Sequence, residues 1–282
     1  MIYVTTGGFS DINAAEVTHN YLQSGIKHIE LSAGKYCPDI ETKLEAYKDK
    51  CSFILHNYFP VPEVPFVLNL ASLNDEVFST SYEHIRSAIA MASRLQSKYY
   101  SFHAGFLLDP KPSELGQRIA KQSFFDRDKS IEQFISATNA LAEYAATLNV
   151  QLLVENNVCS PRNFHHFKAD PFLLSDPSGV NELFQHLDPS VRMLLDVAHL
   201  KVSANTLSYD TDKFIAECHE LIGGYHLSDN CGTIDSNQEF DENSYFWKYM
   251  KNNLDYYSVE VYGCTPEQLL QQVDLVSSQL AQ

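Results

Sequence analysis

Apolar and polar positions along this chain follow a rhythm. Short β-rich runs recur, and each is followed by a stretch with helical spacing. The runs that read as strands are IYVTTGG (2–8), HIELSAG (28–34), SFILHNY (52–58), YYSFHAGF (99–106), QLLVENN (151–157), VRMLLDVAH (191–199), GGYHLSDN (223–230) and YYSVEVYG (256–263). Between them, Asp11 is placed to cap a helix over 12–24 with Gly25 as its stop, and Asp39 opens 40–50. Ser81 opens 82–96, where Ile85, Ala88, Ile89 and Met91 supply an apolar face. Ser130 opens 131–148, Ser178 opens 180–187, Tyr209 begins 209–221 and Asn243 begins 243–253. Thr265-Pro266-Glu267 starts the last helix with proline in its first turn.

Strict β-then-α alternation predicts a parallel sheet with right-handed crossovers. Eight such units favour closure into a (β/α)₈ barrel, an α/β fold with a single domain over residues 1–282. An open, doubly wound sheet is the alternative, and the absence of GxGxxG after the first strand weighs against it. The length of 282 residues suits one barrel, which typically takes about 250. No Gly/Ser/Pro-rich stretch marks a linker. Long connections over 59–80, 107–129 and 158–177 follow the third, fourth and fifth strands. In a barrel they stand at the catalytic mouth.

Charge narrows the ligand class. The formal net charge of −16 is opposite to the basic face that nucleic-acid binders carry. It favours a small substrate, and homo-oligomerisation is left open. None of the six cysteines forms a CxxC pair, which points to a reduced, cytoplasmic protein. The first residues, MIYVTTGGFSD, lack the charged and apolar regions of a signal peptide, and no run of eighteen apolar residues suggests a membrane span.

Buried barrel strands should read as apolar runs. These do so until their C-terminal ends, where ionisable residues stand: Glu30, His56, His103, Glu155, Asp196 with His199, His226 with Asp229, and Glu260. One histidine near a strand end is ordinarily a satisfied core residue. A set at equivalent positions on consecutive strands converges on one cavity, where unpaired charges would repel. A divalent cation resolves that repulsion. Mixed oxygen and imidazole donors suit Mn²⁺, Zn²⁺, Co²⁺ or Fe²⁺, with Mg²⁺ as a further candidate, at one or two ions per chain. No cysteine occupies these positions, which disfavours a thiolate zinc site.

The segments LLVENN, LLDVAHL, GYHLSDNCGTID and SVEVYG resemble those of the xylose isomerase-like TIM barrel superfamily. That superfamily holds sugar phosphate isomerases and epimerases and the endonuclease-IV-like enzymes. The resemblance implies that Glu155, Asp196, His226 and Glu260 are metal ligands. It also implies that His199 serves the substrate or a second metal, and that His56 and His103 are further ligands. An Asp-x-His pattern is expected after the seventh strand, and this chain has Asp235, Ser236 and Asn237 there. An amide replaces imidazole poorly, which sets the chain apart from a complete three-zinc centre.

The resemblance implies a divalent-metal-dependent isomerase or epimerase acting on a sugar or sugar phosphate. Glu155 and Glu260 would pass a proton through an ene-diolate while His199 steadies a substrate oxygen. Glu30, Asp229 and Arg162 are candidate substrate contacts. Lys111, Arg118, Lys121, Arg127 and Lys168 lie in the long loops and could clamp an anion. Two other chemistries use the same parts: a multi-metal, zinc-type phosphoesterase related to endonuclease IV, and a polyol dehydratase. A barrel that only binds its ligand is a third class.

Overall fold

The computed structural model describes residues 1–282. Eight parallel strands hydrogen-bond in chain order and close on themselves, β1 pairing with β8. They are β1 Ile2–Thr5, β2 His28–Leu31, β3 Ser52–His56, β4 Tyr99–His103, β5 Gln151–Glu155, β6 Arg192–Asp196, β7 Ile222–Leu227 and β8 Tyr257–Val259. The helices are α1 Ala14–Gln23, α2 Ile40–Glu45, α3 Asp75–Arg94, α4 Arg127–Thr147, α5 Pro161–Phe167, α6 Pro177–Phe184, α7 Val197–Leu207, α8 Thr211–Cys218 and α9 Pro266–Leu280. The predicted (β/α)₈ barrel is therefore the observed fold. No helix is long and apolar enough to cross a membrane. All six cysteines are unpaired.

Several predicted helix starts move, for a common reason. An Asn or Asp near the expected start takes the cap, upstream of the serine at α3, α4 and α6. Asn74 accepts from the amides of Glu76 and Val77 and starts α3, while Ser81 sits inside that helix and donates to the Val77 carbonyl. Asp126 caps α4, Asp176 caps α6 and Asp210 caps α8 in place of Ser130, Ser178 and Tyr209. Asn13 replaces Asp11 at α1. A carboxylate or amide oxygen reaches the free amides of the first turn, and a charged one also meets the positive end of the helix dipole.

The helix expected over 243–253 is reduced to one 3₁₀ turn, Trp247–Tyr249. Tyrosine hydroxyls intercept its backbone: Tyr225 Oη donates to the Tyr249 carbonyl and accepts from the Lys251 amide. Asn163 and its neighbours, expected to be loop, form α5, capped by Ser160 with Pro161 in the first turn.

Strand periodicity builds the interior. Ile54, Leu153 and Leu194 stand two residues before His56, Glu155 and Asp196, so they share a face and lie one layer deeper. With Tyr3 and Tyr256 they form an apolar plug inside the barrel. Gly224 on β7 makes room for that plug, since a Cβ there would lie 2.8 Å from Cγ of Tyr256. A core of 59 buried residues joins the sheet to the helices.

The long loops at the mouth are pinned by buried amides. Asn69 donates to the carbonyls of Phe106 and Leu108 and accepts from the amides of Ala71 and Phe106. Asn157 donates to the carbonyls of Ala104, Gly105 and Leu173. Asn163 accepts from the Ile119 amide and donates to the Gln117 carbonyl. Beneath them Val67, Phe106, Leu108, Ile119, Cys159 and Phe172 make a small core of their own.

Candidate functional site

Strand register gathers the ionisable residues at the mouth. His103 pairs with Glu155 across β4 and β5, and Asp196 pairs with His226 across β6 and β7. Glu260 follows β8 directly, and its amide extends the ladder by donating to the Leu227 carbonyl. One donor atom from each of Glu155, Asp196, His226 and Glu260 lies within 4.8 Å of the others. Two further groups, His56 with Glu155 and His226, and His103 with Glu155 and His199, meet the same limit. Glu155 belongs to all three, and its oxygens are divided between them. Oε1 is 3.4 Å from Nδ1 of His226 and 3.5 Å from Nδ1 of His199. Oε2 is 3.4 Å from Nε2 of His56 and 3.5 Å from Nδ1 of His103.

The chemistry of these atoms fits a cation. Both oxygens of Glu155, Oδ2 of Asp196, Nδ1 of His226 and Nδ1 of His103 are buried without a hydrogen-bond partner. Buried polar atoms are normally paired, because an orphan keeps its full desolvation cost. Orphans that point at one another, and include both carboxylate oxygen and imidazole nitrogen, form a ligand set for a divalent ion.

Neighbouring groups fix how each ligand presents itself. Oδ1 of Asp196 accepts from the His199 amide at 2.7 Å and so caps α7, which leaves Oδ2 for a cation. This cap also ends β6 at Asp196 and puts His199 in the first helical turn, not on the strand. Asn156 holds both residues. Its side chain accepts from the Asp196 amide and donates to the Asp196 carbonyl, and its own carbonyl accepts from Nδ1 of His199 at 2.8 Å. A carbonyl can only accept, so Nδ1 of His199 carries the hydrogen. Its Nε2 faces Oδ2 of Asp235 at 3.2 Å.

Below the ligands runs a chain of side chains: His226, Glu30, Tyr256, Ser101, His56. Nε2 of His226 is 2.9 Å from Oε2 of Glu30, to which the Tyr256 hydroxyl donates at 2.6 Å. Ser101 Oγ lies 2.9 Å from the Tyr256 oxygen and 2.9 Å from Nδ1 of His56. The ionised carboxylate accepts only, so every proton in the chain points toward it. His226 donates from Nε2, Tyr256 donates to Glu30, Ser101 donates to Tyr256, and His56 donates from Nδ1. Both imidazoles are thereby turned with their lone pairs, Nδ1 of His226 and Nε2 of His56, toward Glu155.

Titration follows from the crowding. Burial dominates Asp196 and, with the charges of Glu155, Asp235 and Glu260, pushes its carboxyl well above the usual range. Burial pulls His199 down, but Asp196 and Asp235 outweigh it and raise the imidazole. Burial lowers His56, and it lowers His103 to about 4, so both are neutral bases near pH 7. Burial works against ionised Glu260, yet His226, when its Nδ1 also carries a proton 3.0 Å from Oε2, prevails and brings it down to about 2; a cation at that lone pair would act in the same direction.

A cavity of about 560 Å³ opens above the cluster, lined at its inner end by His56, His103, His199, Asp235 and Glu260. Tyr262 donates to Oε1 of Glu260 at 2.9 Å. Gly7 lets it do so, since a Cβ at that position would come within 2.6 Å of the Tyr262 oxygen. Arg162 lines the rim and donates to Oε1 of Gln117.

Two expected substrate contacts stand elsewhere. Glu30 has no exposed surface and is engaged by His226 and Tyr256 beneath the ligands. Asp229 lies beyond β7 and is held by Lys201, by its neighbour's amide and by Ser244. Of the loop cations, Lys111, Arg118, Lys121, Arg127 and Lys168 do not line the cavity, and Arg127 pairs with Glu182. Asp235, the first residue of the pattern after β7, stands beside His199. Asn237 is buried at a left-handed φ of 45°. Sequence reasoning passed over Asn156, Ser101 and Tyr256. The only signal was polarity inside otherwise apolar strand runs.

The family described as xylose isomerase-like TIM barrels matches residues 13–269. No curated protein matches the chain. Among solved structures, a D-tagatose 3-epimerase-like protein is similar with a TM-score of 0.74 at 16% identity, covering 99% of this chain and 97% of the other. An L-ribulose 3-epimerase gives 0.65 at 15% identity, covering 97% and 86%. A Thermus thermophilus protein, soaked with zinc chloride, gives 0.63 at 16% identity, covering 96% and 98%. At such identities the likeness carries the fold.

Proposed function

This chain belongs to the xylose isomerase-like TIM barrel family, and from that premise we propose that it is a divalent-metal-dependent isomerase or epimerase of a sugar or sugar derivative. The observation that carries the reading is the set of orphaned donor atoms on Glu155, Asp196 and His226, gathered with Glu260 within 4.8 Å. Solved neighbours that are sugar epimerases support the substrate class.

Glu155, Asp196, His226 and Glu260 would hold the cation, which supplies Lewis-acid polarisation of a carbonyl and its neighbouring hydroxyl. Glu260 stands on the cavity wall with its pKa held low, so it is ionised and able to take a proton from the carbon next to the carbonyl. Tyr262 orients it. Glu155, gathered with it in the same cluster, is the second proton carrier. Return of the proton to the opposite face of the same carbon gives an epimer, and return to the adjacent carbon gives an aldose–ketose pair. His199, with Nδ1 committed to Asn156, offers Nε2 to a substrate oxygen.

The test joins elemental analysis to solvent exchange. The purified protein should carry bound divalent metal, and a keto-sugar incubated with it in deuterium oxide should gain deuterium beside the carbonyl. A protein that takes up no metal after soaking would refute the reading.

A second reading, a multi-metal phosphoesterase, has one observation in its favour. Glu155 turns Oε2 toward His56 and His103, as a carboxylate shared by two ions would. Two or three tightly held zinc ions per chain, with hydrolysis of a phosphoester, would favour it. Asn237 and the acidic charge weigh against it.

A further inference from the structure

The cavity above the cluster is larger than its polar end requires. Its volume of about 560 Å³ falls among pockets that enclose drug-sized ligands, about 300–1,000 Å³. Beyond the ionisable cluster its wall includes the apolar side chains of Tyr58, Phe66, Phe106, Leu115, Phe172 and Ile234.

Exposed apolar side chains concentrate there. Six large hydrophobic residues are exposed in the whole chain: Met1, Tyr36, Val64, Leu115, Ile234 and Tyr262. Leu115 (52% exposed), Ile234 (53%) and Tyr262 (39%) all line this cavity, and Val64 adjoins Pro65, which also does. Leu115 comes from the loop after β4 and Ile234 from the loop after β7. Loops from separate strands thus bring apolar side chains to one aperture over a polar site. Grouped in this way, they mark a contact surface.

Charge along that wall is sparse. Arg162 is the only lysine or arginine of the lining, and its guanidinium already holds Gln117 at 3.0 Å. The carboxylate of Glu114, also in the lining, is used by the amides of Lys111 and Ala120. A phosphate ordinarily calls for several cations or amides, and Arg162 is the one lysine or arginine there, while the amides of Asn157 and Asn163 are spent on loop carbonyls.

We propose that the substrate is a sugar bearing a neutral apolar substituent, an ether or glycoside, and that this substituent rests on Phe66, Leu115 and Ile234. The sugar end rests on the isomerase reading above. The substituent end rests on the cavity wall alone.

Three probes test this on the metal-loaded protein: D-fructose, its 6-phosphate and its 6-O-benzyl ether. Calorimetry gives each affinity, and exchange at the carbon beside the carbonyl in deuterium oxide gives the chemistry. The ether should bind at least about ten-fold more tightly than the parent sugar, as burial of one aromatic ring predicts. The exposed pair Leu115→Ser and Ile234→Ser should remove that advantage and leave the parent sugar unchanged. Exchange with the parent sugar, bound as tightly as the ether or less tightly than the phosphate, overturns the substituent site and leaves the isomerase reading standing. Tight ether binding without exchange of any probe sustains the substituent site and overturns the isomerase reading. Binding of none overturns both. Dimerisation lost in the double variant, with no preference for the ether, would give this surface to a second copy of the chain and overturn the proposal.

Discussion

Glu30 and His226 meet at 2.9 Å, Oε2 to Nε2, across the floor of the barrel. This contact decides which nitrogen of His226 faces Glu155 and Glu260. Replacing Glu30 by Gln weakens the acceptor and lets the imidazole change tautomer. Metal affinity should fall about 10–100-fold, the usual cost of losing such a partner. Titration with Mn²⁺ or Zn²⁺ measures it, and an unchanged affinity would remove Glu30 from this role.

Tyr256 reaches further than Glu30, because its hydroxyl connects both histidines. Tyr256→Phe keeps the ring in the plug but strands Ser101 and one lone pair of Glu30. A stability loss of about 1–3 kcal/mol is expected from denaturant midpoints. Ser101→Ala should disturb His56 alone. Metal binding weakened more by Tyr256→Phe than by Ser101→Ala is the expected order, and the reverse order would break the proposed polarity of the chain.

Glu260→Gln should leave the circular dichroism spectrum intact and cut solvent exchange by about 10²–10⁴, the range for one acid–base group. Full activity in this variant would take the proton-transfer role from Glu260.

Metal binds the folded state and so stabilises it. At a free ion concentration about a hundred times Kd the gain is about 2.7 kcal/mol. Chelation should therefore lower Tm by roughly 4–5 °C. A melting curve unmoved by complete metal removal would count against the ligand set.

His84, behind the cavity wall and outside the ligand cluster, gives a pH signature of its own. It stacks on Tyr58 at 5.9 Å and meets Phe66 edge-on at 5.5 Å. Burial lowers its pKa from 6.5 to about 4. A base whose folded pKa is depressed stabilises the fold while neutral. Its contribution is complete above pH 6.5 and is lost as the pH falls toward 4. The unfolding free energy from urea titrations should drop across that window by about 2 kcal/mol more than that of His84→Phe. Parallel acid limbs for the two proteins would contradict this.

The barrel and its ligand residues were legible in the sequence because they depend on short-range pattern. Apolar strand runs that end in Glu155, Asp196, His226 or Glu260 state both the layer and the depth. What depends on partners across the barrel was not legible. Glu30 resembled a substrate contact until Tyr256, 226 residues away in sequence, was seen to occupy it. Asp229 resembled another until Lys201 was seen to neutralise it. His199 read as strand because the cap that turns it into helix is made by Asp196, itself a candidate ligand. Helix starts were misplaced where an Asn or Asp close to the expected residue took the cap, as Asn74 does for Ser81 and Asp210 for Tyr209.

The asparagines that pin the loops have a consequence for traffic. With Asn69, Asn157 and Asn163 tying the loops after β3, β4 and β5 to one another, the side of the doorway that carries Leu115 is a fixed post and not a lid. Entry and exit then depend on the width of the opening and on how well a visitor sheds water against its apolar jambs. Narrowing the doorway would slow arrival and departure together and leave the chemistry below untouched.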